Sequence, residues 1–102
     1  MQCVTILYPN KADAKFDFDY YIKRHLPMTA KLLGNPMEIY KATATPTGAP
    51  VPFLCVLRIK INSVEEFMSV MTRQGAEIIA DVPNYTNIEP VIQFDEIIPF
   101  IM

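Results

Sequence analysis

The sequence of 102 residues has no tryptophan, one histidine, two cysteines and three glycines. One histidine and two separated cysteines cannot supply the ligands of the usual protein zinc sites. So few glycines cannot build the common phosphate-binding loops, and the sequence contains neither GxGxxG nor GxxxxGKS/T. The GxSxG turn of serine hydrolases is also missing. We therefore expect no metal site and no resident cofactor.

Clusters of charge and long apolar runs are missing as well. Nine Lys and Arg against 11 Asp and Glu give a net charge of −2, and the basic residues are dispersed. Nucleic acids and anionic membranes both require a basic cluster. No apolar run approaches the roughly 18 residues of a membrane span, and Pro9-Asn10-Lys11 interrupts the start before a signal peptide could form. We expect no nucleic-acid partner, no membrane partner and a cytoplasmic location.

Hydrophobic residues, in contrast, are abundant at 51% of the chain, which is typical of a folded protein. The length fits one core, so residues 1–102 are predicted to form a single domain. Cys3 and Cys55 each lie inside an apolar run, and we expect both to be buried, reduced thiols.

Apolar periodicity and turn residues predict four strands and two helices. The predicted strands cover residues 3–8, 37–45, 53–61 and 91–98. The first predicted helix covers 17–26 and is followed by a second piece that ends at Gly34, and the second helix covers 64–80. Ser63 and Glu66 form a predicted capping box before the second helix. The order β-α-β-β-α-β predicts a ferredoxin-like α+β sandwich with both helices on one face of an antiparallel sheet.

The first helix is predicted to begin at Asp17, whose carboxylate would cap it. Phe18, Ile22 and Leu26 recur at helical spacing and should form its core face, which places His25 at the edge of the buried surface. Pro27 has no N–H and clashes with the preceding turn. It should therefore push Leu26 off helical dihedrals and kink the helix.

Apolar side chains occupy both faces of the third predicted strand. Cys55, Leu57 and Ile59 point one way, yet Leu54 and Val56 on the opposite face are apolar too. A strand with one face in water should alternate more cleanly. The second face of the sheet is therefore predicted to be covered by another copy of the chain, in a two-fold homodimer.

Short strings along the whole chain resemble the EthD family, which is associated with ether degradation. They are Leu7-Tyr8-Pro9-Asn10, Phe16-Asp17-x-Asp19-Tyr20-Tyr21 with His25-Leu26-Pro27, and Asp81-Val82-Pro83-Asn84-Tyr85-Thr86 followed by Glu89-Pro90. The resemblance implies a homodimer whose sheets pack as a dimeric α+β barrel, with a pocket between the helices and the sheet of each subunit. It also implies a role as a reductase, as an accessory protein beside an oxygenase system, or as a polyketide-tailoring enzyme.

His25 is the candidate catalytic residue. It lies four positions after Tyr21, so the two side chains share a helical face, and Tyr21 is the candidate partner. Histidine changes charge near neutral pH and is the commonest general acid or base. The competing interpretation is structural: His25 would cap the carbonyls that Pro27 leaves free at the end of a helix. The sequence leaves both open.

Candidate ligand-contacting residues are Tyr8, Tyr85, Met28 and Phe67, because tyrosines orient polar aromatic ligands and Met and Phe give an adaptable apolar lining. We expect a small apolar or aromatic organic ligand, transformed without a cofactor by proton transfer, isomerisation, cyclisation or oxidation. The alternatives are an accessory protein that binds or shields a hydrophobic intermediate for an oxygenase, and a purely structural dimerisation module. A His25 ring facing an enclosed pocket beside a tyrosine hydroxyl would favour the enzyme.

Overall fold

The computed structural model describes residues 1–101, which form two layers, a four-stranded antiparallel sheet and a layer of helices on one of its faces. The strands are β1 (Gln2–Pro9), β2 (Met37–Lys41), β3 (Phe53–Ile61) and β4 (Val91–Glu96). Their order in the sheet is β2-β3-β1-β4, which is the ferredoxin-like topology. The thinnest dimension of the molecule is 20 Å, as two layers require. The predicted fold class is confirmed.

The central strands β1 and β3 carry the core. Val4 lies opposite Ile59 on β3 and Phe94 on β4, and these side chains point toward the helices. The buried core combines this sheet face with helix side chains such as Leu26 and Phe67. Two strands are shorter than predicted, because β2 ends at Lys41 and β4 ends at Glu96.

Both cysteines are buried free thiols, as predicted. Cys3 pairs with Lys60 and Cys55 pairs with Tyr8, so the two thiols lie on opposite faces of the sheet. A disulfide between them is therefore excluded by geometry.

The first helix covers residues 18–33 in three segments, namely an α-helical start at Phe18–Tyr20, a π-helical turn at Tyr21–His25 and an α-helix at Leu26–Leu33. Asp17 caps it by accepting a hydrogen bond of 3.0 Å from the Tyr20 backbone N–H, as predicted. The helix ends at Gly34, whose left-handed backbone (φ +68°) suits a glycine.

The prediction that Pro27 pushes Leu26 off helical dihedrals is wrong. Leu26 keeps helical dihedrals (φ −63°, ψ −39°), and its N–H donates to the Tyr21 carbonyl, five residues back. Pro27 cannot donate to Lys23, and the π-helical turn accommodates this missing hydrogen bond by placing one additional residue in the turn. Because one residue corresponds to about 100° of helix rotation, the buried face shifts.

This rotation also removes Ile22 from the predicted core face, although Leu26 is buried as predicted. Ile22 is 55% exposed, whereas Tyr21 is fully buried and His25 is 4% exposed. His25 thus lies inside the protein and not at the edge of the buried surface.

The second predicted helix is divided at Gly75 into Val64–Gln74 and a short helix at Ala76–Asp81, which a 3-10 turn follows at Val82–Asn84. A Cβ atom at Gly75 would lie 2.5 Å from the Met71 carbonyl oxygen, so the close approach at the junction requires glycine. Ser63 caps the helix as predicted, although the Glu66 carboxylate accepts from Asn62 instead of completing the capping box. Within residues 1–101, no helix combines the length and apolar character needed to cross a membrane.

Candidate active site

A cavity of about 460 Å³ lies between the helix-facing side of the sheet and the short helix with the segment that follows it. Its walls are mostly apolar side chains, including Ile6, Ile78, Val82, Ile88 and Ile92. The polar side chains that line it are Tyr8, His25, Tyr85 and, at its exposed margin, Glu89. A concave apolar site with a few convergent polar groups is the usual form of a small-molecule site.

The His25 ring is held between a carboxylate and a phenol. Nδ1 lies 2.9 Å from Oδ2 of Asp81, and Nε2 lies 3.4 Å from the Tyr85 hydroxyl. The ring therefore does not cap the helix carbonyls, and the helix continues for two turns beyond it. The carbonyl of His25 itself accepts a hydrogen bond from the Thr29 hydroxyl.

Asp81 ends the short helix and accepts three side-chain hydrogen bonds. Besides His25, the donors are the Tyr20 hydroxyl at 2.7 Å and the Asn84 amide at 2.8 Å, both to Oδ1. Partial burial acts to raise the pKa of Asp81, but the hydrogen bonds from Asn84, Tyr20 and His25 together outweigh it, and the pKa lies below its usual value. The carboxylate is ionised at neutral pH.

Tyr8 and Tyr85 form the other side of the cluster, with their hydroxyl oxygens 2.7 Å apart. Burial is the main cause that raises the pKa of both phenols far above the usual range. Both side chains are thus uncharged in the resting protein. They can pass or share a proton, but they do not act as phenolates.

Tyr85 is positioned by contacts between its loop and the segment before the first helix. Its carbonyl accepts a hydrogen bond of 2.7 Å from the Asp17 N–H, and its neighbour Thr86 pairs with Phe16 in an isolated β-bridge. The Asn87 side chain accepts from the Lys15 N–H and donates to the Asp13 carbonyl. These bonds hold the loop against the body of the protein, so Tyr85 is a fixed part of the site despite lying outside a regular element.

Tyr21, the predicted partner of His25, packs against the ring without a hydrogen bond to it. The two rings stack nearly parallel, with centroids 5.5 Å apart and an angle of 14°. The Tyr21 hydroxyl is buried and has no hydrogen-bond partner among residues 1–101. Tyr21 therefore orients the His25 ring by contact, and the hydroxyl beside His25 comes from Tyr85.

Two further predicted ligand contacts lie outside this cavity. Met28 lines a separate groove between the helices with Lys31 and Glu77, and Phe67 packs edge-to-face against Phe94 in the core. Tyr8 and Tyr85 do line the cavity with His25. Three of the six predicted site residues thus line the cavity, and a fourth, Tyr21, packs against the His25 ring.

Three residues of the cluster, Asp81, Tyr20 and Asn84, have no site role in the sequence prediction. Asp81 is 56 residues from His25 along the chain, so no spacing rule relates them. One weak signal exists, since Asp81 and Asn84 lie one turn apart just before Tyr85 in a segment without core periodicity.

The arrangement suits proton transfer. A histidine that donates through Nδ1 to a carboxylate presents Nε2 as an acceptor, and the carboxylate stabilises the imidazolium that forms when Nε2 takes a proton. Cys55 is a poor nucleophile in comparison, because burial raises its pKa to about 11 and keeps the thiol protonated. Within residues 1–101, no group of three or more His, Cys, Asp or Glu side chains is arranged to hold a metal ion.

The sequence and the fold of this chain are both similar to those of a protein of known structure. An EthD-like protein from Ralstonia eutropha JMP134 is 37% identical, with a TM-score of 0.86, over 93% of this chain and 89% of its own. The chain belongs to the EthD family. No protein-family model matches the sequence, and no curated protein is significantly similar to it.

Two further structures share the EthD fold at lower identity. An ethyl tert-butyl ether degradation (EthD) family protein from Bacillus halodurans C-125 is 20% identical with a TM-score of 0.76, over 96% of this chain and 99% of its own. HapK from Hahella chejuensis is 17% identical with a TM-score of 0.60, over 100% of this chain and 98% of its own. At these identities the likeness shows the fold alone.

Replacing Asp81 by Asn should destabilise this EthD protein by about 1–3 kcal/mol at neutral pH, because the charge-assisted hydrogen bonds from His25, Tyr20 and Asn84 are weakened or lost. The pKa of Asp81 is lower in the folded than in the unfolded state. Its contribution is therefore present above the unfolded pKa, near 4, and is lost as the pH falls through the folded value. Urea unfolding followed by circular dichroism should show that the difference in unfolding free energy between wild type and Asp81→Asn is smaller at an acid pH below the unfolded pKa, about 4, than at pH 7.

Asp19→Asn is the matched control, because Asp19 is an exposed acid whose ion pair with Lys23 should contribute little at either pH. An Asp81→Asn variant as stable as wild type at pH 7, or destabilised equally at both pH values, would contradict the role assigned to this carboxylate.

Proposed function

We propose that this EthD protein binds a small, largely apolar or aromatic organic molecule in the cavity at His25 and transfers a proton to and from it without a resident cofactor. The observation that supports the proposal is the environment of the His25 ring. It lines an apolar cavity, has Asp81 on Nδ1 and has the Tyr85 hydroxyl near Nε2. A base within reach of a bound ligand and oriented by a third group is the usual form of a general acid–base site.

The chemistry requires only groups of this chain. His25 Nε2 takes an acidic proton from the ligand, and Asp81 stabilises the resulting imidazolium. The Tyr85 and Tyr8 hydroxyls reorient to donate to the oxyanion left on the ligand. Return of the proton to a different atom of the ligand completes an isomerisation.

The family context favours a role in the breakdown of organic compounds, since one structural relative is named for ethyl tert-butyl ether degradation. The accessory role remains the second candidate. It is favoured by the largely apolar walls, which would hold a hydrophobic intermediate without reacting with it.

We also propose that the protein acts as a homodimer through the open face of the sheet. Leu7, Leu54 and Val56 are only partly buried on this face, and Val91 at its edge is half exposed. The same face carries charges of both signs. In a two-fold dimer, positive side chains of one copy can therefore lie opposite negative side chains of the other. The cavity lies on the other side of the sheet, so this dimer would leave it open to a ligand.

The proton-transfer role is tested by deuterium incorporation into the ring carbons of naphthoresorcinol in D₂O, followed by NMR. This uncharged bicyclic phenol exchanges through its keto form. Wild type should accelerate the exchange, and His25→Gln should reduce the acceleration by about 100-fold or more. Tyr40→Phe, whose hydroxyl contacts the exposed Glu38, should leave it unchanged.

An unaltered rate in a folded His25→Gln variant would exclude His25 as the acid or base. Binding of naphthoresorcinol by wild type with no accelerated exchange would favour the accessory role.

The homodimer is tested by light scattering after size exclusion at micromolar concentration, which should give twice the chain mass of 11.6 kDa. Val56→Glu should produce monomers, because it places a charge at the centre of the proposed interface. Met68→Glu is the control, since Met68 is half exposed on the second helix, away from this face. A wild-type monomer would contradict the proposal.

A further inference from the structure

The direction of the hydrogen bonds around His25 is determined by Asp81. An ionised carboxylate only accepts, so the His25 Nδ1–H, the Tyr20 hydroxyl and the Asn84 amide all donate to it. A neutral imidazole carries one proton. With that proton on Nδ1, Nε2 has only a lone pair.

The same logic extends through the two tyrosines. Nε2 can be satisfied only by a donor, and the hydroxyl near it is that of Tyr85, at 3.4 Å. A hydroxyl has one proton, so a Tyr85 that donates to His25 cannot donate to Tyr8. The 2.7 Å bond between the tyrosines then requires Tyr8 to donate to Tyr85. The reverse direction would leave Nε2 buried without a donor, which proteins avoid.

The chain of donors thus runs from Tyr8 through Tyr85 and His25 to Asp81. Both phenolic protons are used within it, so the tyrosines offer the cavity only oxygen lone pairs. Among the described residues that line the cavity, none is Lys or Arg, and Glu89 at the margin adds a negative charge. A ligand therefore meets hydrogen-bond acceptors and a negative field.

Building on the proposed function, we infer that the cavity selects an uncharged ligand whose polar group is an O–H donor, such as a phenol, an enol or an alcohol. Such a group donates to the lone pair of Tyr8, which is 2% exposed and whose hydroxyl makes its one direct hydrogen bond among residues 1–101 to Tyr85. An ether or ester of the same shape cannot donate to the Tyr8 oxygen. It would instead place its own acceptor oxygen against the Tyr8 lone pair. A carboxylate meets no cation that could neutralise it.

The test compares three ligands with one ring system, namely β-naphthol, its methyl ether and β-naphthoate, by isothermal titration calorimetry at neutral pH. Wild type should bind β-naphthol about 10-fold or more tightly than the methyl ether, and β-naphthoate least of all. In His25→Phe the acceptor of the Tyr85 hydroxyl is gone, so a phenolic proton becomes free for the ligand, and the preference for β-naphthol should fall to about 3-fold or less. Tyr40→Phe should keep the wild-type preference.

The outcomes separate this inference from the proposed function. If the ether binds wild type within about 3-fold of β-naphthol, or if β-naphthoate binds most tightly, the donor selectivity is wrong. His25-dependent exchange of naphthoresorcinol would then leave the proposed function standing. If none of the three compounds binds, both the cavity's ligand role and its selectivity fail.

Discussion

The contact between His25 and Asp81 is the interaction on which the site depends. It joins the first helix to the end of the short helix, residues 56 positions apart, in a part-buried hydrogen bond of 2.9 Å. Asp81 determines which ring nitrogen carries the proton, and this determines the direction in which Tyr85 and Tyr8 donate. The Asp81 carboxylate, which lies outside the cavity, therefore controls whether the cavity presents hydrogen-bond donors or acceptors to a ligand.

The π-helical turn at Tyr21–His25 is what brings His25 to this contact. A regular helix with the spacing of Phe18, Ile22 and Leu26 would bury Ile22 and leave His25 at the margin. Because Pro27 cannot donate to Lys23, the helix takes an additional residue into the turn, and Tyr21 and His25 rotate inward. Such single-turn π segments are frequent at functional sites, where they direct a side chain that regular geometry would misplace.

The fold could be predicted from the sequence to a large extent, because local patterns specify it. Apolar residues at strand spacing predicted β3, and Asp17 and Ser63 were predicted as the N-caps of the two helices. The order of the elements predicted the α+β sandwich. The partner of His25 could not be predicted, since its position depends on packing between elements distant in sequence. The dihedral angles of Leu26 were mispredicted for a related reason: a proline can be accommodated by helix distortion, and only the surrounding packing decides between a non-helical residue before it and a π-helical turn.

The most direct test of this account is the protonation of the His25 ring in solution, measured by long-range proton–nitrogen NMR on ¹⁵N-labelled protein. His25 is the one histidine in the sequence, so its two nitrogen signals are unambiguous. The account predicts that Nδ1 carries the proton and that Nε2 is bare, with a loss of that preference in Asp81→Asn. A ring protonated on Nε2 with a bare Nδ1 would contradict it, because Asp81 would then accept no hydrogen bond from His25 and the chain of donors would run the other way.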